Sequence, residues 1–180
     1  MPSLRLAELH PILVHFPIAL LITSVALDLV AVFLRRAGLT TAATWLLILG
    51  LPGALVALLS GWLSERDVNL APAGSLLHLH KSFAVLTSVM FSLLLLLRLA
   101  WLFPRILGWL RLTFPRTAPA IAGVERQTKI IFPLLYAPRL PRSLVALYLV
   151  ASVFGVVMLA VTGYLGGAMV YDHGVGLPPH

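Results

Sequence analysis

Residues 11–34 read PILVHFPIALLITSVALDLVAVFL, an almost unbroken apolar run in which Asp28 is the only acid and no Lys or Arg occurs. As a helix at 1.5 Å per residue, a run of this length reaches about 36 Å, enough to cross the ~30 Å hydrocarbon layer of a bilayer. The run opens at His10-Pro11, where proline suits a first helical position, and closes at Arg35-Arg36. Three runs of the same kind follow, about Ala43–Leu63, His78–Phe103 and Ser143–Met169. With 60% hydrophobic and 11% charged residues among 180, and a mean hydropathy of +1.01, the composition is that of an integral membrane protein. The expected architecture is all-α: a single four-transmembrane-helix domain, residues 1–180, folded as an up-down bundle.

The connections carry the polar residues. Ser64–Leu77 is a short loop, and the fourth run stops at Tyr171-Asp172-His173-Gly174. Residues 104–142 form the longest connection, in which Trp109, Phe114, Phe132 and Tyr136 are mixed with prolines and arginines. That mixture suits the headgroup zone. Ile106–Phe114 and Thr128–Tyr136 are therefore expected as short interfacial pieces, with a re-entrant path around Ile130–Tyr136 as an alternative. Of the 13 basic residues, Arg35, Arg36, Arg98, Arg105, Arg111, Arg116, Arg126, Lys129, Arg139 and Arg142 fall to one side of the runs, leaving only Arg5, Arg66 and Lys81 on the other. By the positive-inside rule the first group is cytoplasmic, which puts both termini on the extracytoplasmic side. The first ten residues lack the layout of a cleaved secretion signal, so the first run is read as a retained span.

All six histidines, His10, His15, His78, His80, His173 and His180, then lie on the extracytoplasmic side, with Glu8, Glu65, Asp67 and Asp172 near them. Imidazole ligates divalent metals and haem iron. In an up-down bundle the first and third helices stand diagonally, which places His15 and His80 across the centre. On an ideal helix His10 and His15 are about 140° apart and His78 and His80 about 200°, so one of each pair faces inward. His15 and His80 lie deeper and are the expected inward pair, with His10 and His78 on the rim. Pro17 is expected either to bend the first helix and widen the bundle mouth or to be tolerated as a simple kink.

Other residues depart from the apolar pattern. Asp28 and Arg98 fall at similar depth and are expected to form an intramembrane ion pair, the alternative for Asp28 being a proton-handling or partner site. Gly163 and Gly167 match the small-residue packing motif. The glycines after them could let Tyr171, Asp172 and His173 fold over the mouth as a lid that hydrogen-bonds a ligating imidazole or a cofactor carboxylate. The chain has no cysteine, which excludes disulfides, iron–sulfur clusters and covalently attached c-type haem. Although the net charge is +7, there is no aromatic-basic recognition motif, so nucleic acid is not an expected partner. No nucleophile–base pair, phosphate loop or zinc-protease motif points to an enzyme.

Four strings together resemble a family of small bacterial inner-membrane proteins, the domain of unknown function 2231. They are His10-Pro11-Ile12-Leu13-Val14-His15-Phe16-Pro17-Ile18-Ala19-Leu20, Gly61-Trp62-Leu63, His80-Lys81, and Gly166-Gly167 with Tyr171, His173, Gly174, Val175 and Gly176. The resemblance implies a multi-pass protein of the inner membrane with four helices, and leads one to expect a shorter 104–142 connection. That arrangement is similar to membrane b-type cytochromes, which place histidine pairs near both faces, whereas this chain has them near one. The leading functional expectation is a haem b electron-transfer subunit with His15 and His80 as axial ligands. A copper or zinc site built from His10, His15, His78, His80, His173 and Asp172 is the alternative, and a cofactor-free scaffold or assembly subunit the third. The bilayer is the expected surrounding, with a membrane redox partner or a second copy of the chain as protein partners.

Overall fold

The computed structural model describes residues 6–65, 73–136 and 141–175. Arg5, Arg66, Asp67, Arg139, Gly176 and His180 lie outside the described residues, as does the side chain of Glu8. Among the described residues the order is α1 (Leu6–Leu34), α2 (Ala37–Ser64), α3 (Gly74–Thr113), a 3₁₀ turn (Pro115–Thr117), α4 (Ala118–Ile131), a second 3₁₀ turn (Pro133–Tyr136) and α5 (Arg142–Tyr171), with no strand. Segments His10–Leu34, Ala37–Ser64, Gly74–Thr113 and Arg142–Tyr171 are each long and apolar enough to cross a membrane. Their outward faces carry Phe16, Phe33, Leu49, Leu96 and Val150, a pattern suited to lipid.

Several boundaries differ from the sequence reading, α2 beginning at Ala37 rather than near Ala43 and α3 at Gly74 rather than His78 among them. The helix containing the first run begins at Leu6, so Pro11 is inside it rather than at its start. Likewise Pro104 does not stop the third run: α3 continues to Thr113, and Ile106–Phe114 is almost entirely its last part. Proline deletes a single N–H, and a long helix retains its other bonds across that gap. Forty residues of α3 measure about 60 Å, so one end projects well beyond a hydrocarbon layer. Beyond it α4 turns back alongside, with Glu125 about 4.0 Å from Arg111. Ile130–Tyr136 is the end of α4 followed by a 3₁₀ turn that folds against α3.

Two residues connect α1 to α2. Arg35 takes a positive φ of 53°, and the Arg36 N–H returns to the Ala31 carbonyl at 3.1 Å, closing α1 as glycine usually does. This tight turn lays α1 along α2, while α3 packs along α5; α2 meets α3 and α1 meets α5 less extensively. Leu21 and Val25 of α1, Leu47 and Leu51 of α2, Phe91 and Leu94 of α3, and Tyr148 and Leu159 of α5 form the core. Gly50 permits a close α1–α2 approach, since a Cβ there would lie 2.9 Å from Leu21 Cδ2. Buried Ser24 adds a polar link, donating to the Ala43 carbonyl at 2.7 Å.

Candidate functional site

The bundle brings His10 and His80 together. Their ring centroids are 6.5 Å apart with planes at 88°. His10 Nδ1 lies 3.0 Å from the Ala57 carbonyl and 2.9 Å from Ser60 Oγ on α2. His80 Nδ1 lies 2.9 Å from the Thr162 carbonyl on α5. A carbonyl oxygen only accepts, so in both rings Nδ1 carries the proton and donates. Each Nε2 is then the basic nitrogen, and among the described residues neither has a hydrogen-bond partner. A ring N–H held by a carbonyl, with the other nitrogen presented, is how proteins orient imidazole ligands.

Glycine seats each ring. A Cβ on Gly61 would come within 3.1 Å of His10 Cε1, and one on Gly166 within 3.1 Å of His80 Cε1. Below His80 the Thr87 and Thr162 hydroxyls approach to 3.4 Å, joining α3 to α5. Beside it Lys81 pairs at 2.7 Å with Glu65, the residue that caps the end of α2. One residue from each of the four strings that carry the resemblance, His10, Gly61, His80 and Gly166, therefore meets at this end of the bundle.

The expected His15–His80 pair is not formed. His15 is exposed, and its Nδ1 turns back to the Pro11 carbonyl of its own helix. Because α1 begins at Leu6, His10 is already about one turn inside the helix, and His80 is nearly two turns inside α3, whereas His15 points outward. His78 is exposed. Tyr171, Asp172 and His173 do not form a lid over the pair. Tyr171 is 87% exposed, and His173 Nδ1 reaches only the Ala168 carbonyl of its own helix, at 3.4 Å. Gly174, with φ 65°, closes α5 locally through its N–H to the Val170 carbonyl. No three or more His, Asp or Glu residues among those described converge as a metal site would require, so the copper or zinc site of His10, His15, His78, His80, His173 and Asp172 is not assembled. Pro17 is buried, and a Cβ on Gly53 would meet it at 3.3 Å, so it packs against α2 rather than widening a mouth. Gly163 and Gly167 have open space where a Cβ would stand, and close packing belongs to other glycines.

The family known as predicted membrane protein DUF2231 matches residues 7–125 and 127–179. The chain belongs to that family. The DUF2231 match takes in both histidines, both seating glycines and most of the 104–142 connection, so that connection lies within the family's span. No curated protein and no solved structure matches the chain.

At the other end of the same two helices, Arg98 Nη2 meets Asp28 Oδ1 at 2.6 Å, the side chains being 7% and 4% exposed. The expected Asp28–Arg98 contact is thus present. The guanidinium lies over the Tyr148 ring, 5.2 Å from its centroid, and Tyr148 stacks at an angle on Trp101 at 5.2 Å. Eighteen residues separate His10 from Asp28 and His80 from Arg98, about 27 Å of helix in each case.

Proposed function

We propose that this chain is a multi-pass protein of the bacterial inner membrane, an up-down bundle with both termini outside, that holds one b-type haem between His10 and His80 for electron transfer. The observation that carries this reading is the pair of imidazoles with Nδ1 bonded to carbonyls of α2 and α5 and the lone pair of Nε2 left free to ligate. The two rings, with centroids 6.5 Å apart, are near enough for one bound group to engage both. A bound haem would be held by His10 and His80 and would supply a one-electron couple, which suits electron transfer. The protein's own part is to fix both ring orientations through the Ala57 and Thr162 carbonyls and to keep the pair inside four apolar helices. Orientation rests on the excess of Arg and Lys in the connections on the opposite side, since basic loops remain cytoplasmic.

The test is the absorption spectrum of the full chain, purified in mild detergent after haem supplementation, oxidised and then reduced. A Soret band that shifts on reduction is expected, absent from both His10→Ala and His80→Ala and retained in His15→Ala and His78→Ala. A wild-type protein without a Soret band, or an unchanged spectrum in both His10→Ala and His80→Ala, overturns the proposal and leaves the pair as a helix staple. Because the chain has no cysteine, one introduced at Arg116 can report sidedness. Labelling by an impermeant thiol reagent only after the membrane is opened supports the orientation.

A further inference from the structure

A second feature lies at the Asp28 end, independent of the haem reading. A cavity of about 620 Å³ opens between the bundle and the 3₁₀ turn at Pro133–Tyr136. Its polar lining includes Asp28, Arg98, Arg105 and the rings of Tyr136 and Tyr148, while Val32, Leu102, Leu135, Val145 and Leu149 make its walls apolar. Tyr136 is held in place by a hydrogen bond between its hydroxyl and that of Thr128 on α4. The volume falls in the range of small-molecule sites, which are mostly apolar with a few convergent polar groups.

Two observations specify what such a cavity would take. Arg98 is 6% exposed, yet its Nη1 is buried without a hydrogen-bond partner, Asp28 engaging Nη2 alone. A charged donor left unmet away from water calls for an oxygen acceptor. The second observation is charge. Asp28 neutralises Arg98, and Arg105 adds one further positive charge with no carboxylate partner among the described residues. The lining therefore carries one net positive charge beside apolar walls.

We infer that this cavity binds an amphiphile with a single oxyanion head, the head accepting from Arg98 and facing Arg105, and the apolar body lying along Leu102, Val145 and Leu149. Two kinds of molecule present that chemistry: a phosphodiester lipid headgroup and a free long-chain carboxylate.

Titration of the full chain in an uncharged detergent, followed by native mass spectrometry and thermal shift, tests it. The probes are short-chain phosphatidylglycerol and decanoate, with dihexanoylglycerol and decanol as uncharged counterparts. Saturable binding of one molecule per chain is expected for at least one anion, at least tenfold tighter than its uncharged counterpart. A preference for phosphatidylglycerol assigns the site to a lipid headgroup, and a preference for decanoate to a free carboxylate. Arg105→Gln, at an exposed position, is expected to weaken binding about tenfold without changing the fold, and Arg98→Lys, which keeps a charge for Asp28 but loses the forked donors, by at least as much. Absence of saturable binding by either anion, equal binding of the uncharged probes, or unchanged affinity in both variants overturns the inference.

Discussion

His10–His80 and Asp28–Arg98 are two crossings between the same pair of helices, about 27 Å apart along each, and they leave opposite groups unmet. At the histidine end the backbone of α2 and α5 takes up each Nδ1 proton, and what remains is a pair of basic nitrogens. At the other end an acid and a base satisfy each other, and what remains is a buried N–H donor. One end presents lone pairs; the other presents a donor. The difference originates in which helices supply the partners. Neutral rings are held by carbonyls of the flanking helices, so α1 and α3 need not bond directly there, whereas Asp28 and Arg98 depend on each other for charge.

That dependence gives the largest expected effect. Asp28→Asn should destabilise the protein in detergent by about 3–5 kcal/mol, because it strands the Arg98 charge in the interior. Replacing both by Leu and Met should restore most of the loss, as read from unfolding midpoints. A Asp28→Asn protein as stable as wild type would break the contrast between the two ends. At the histidine end Gly166→Val should cost about 1–3 kcal/mol, since its side chain must enter the space taken by His80. Ser60→Ala should cost about 0.5–1 kcal/mol, because His10 keeps the Ala57 carbonyl. His15→Ala should change stability by less than about 0.5 kcal/mol, its ring being exposed and bonded to its own helix. A His15→Ala loss as large as that of Gly166→Val would show that the outer histidine, rather than the His10–His80 pair, supports this end.

Much of this end of the molecule was legible in the sequence, but not as a geometry. Spacing and depth singled out His80, and the strings around Gly61 and Gly166 marked the glycines that seat the two rings. The choice of His15 over His10 failed because Pro11 looked like a helix start. With the helix beginning at Leu6, His10 is already a turn inside it, and its packing on Ala57, Ser60 and Gly61 of α2 sets which face turns inward. Asp28 and Arg98 were easier to pair, since a lone acid and a lone base at matched depth have few other ways to be neutralised in a low-dielectric interior. The donor left over on Arg98 could not have been anticipated, because it depends on which guanidinium nitrogen the carboxylate takes.

Four long apolar runs determined by themselves that the chain lives in a membrane as helices, since helices satisfy every backbone hydrogen bond within one segment. The sequence also determined the Asp28–Arg98 crossing, because a charged side chain in an apolar run has to find a partner. Only the tertiary structure decided which histidine meets which, that the Tyr171–His173 tail stays outside the pair, and that a cavity forms beneath the Pro133–Tyr136 turn. Those outcomes depend on helix ends, rotation about helix axes and the fold-back of α4. A few residues of change in any of them carry a side chain to another face, and hydropathy is nearly indifferent to that choice.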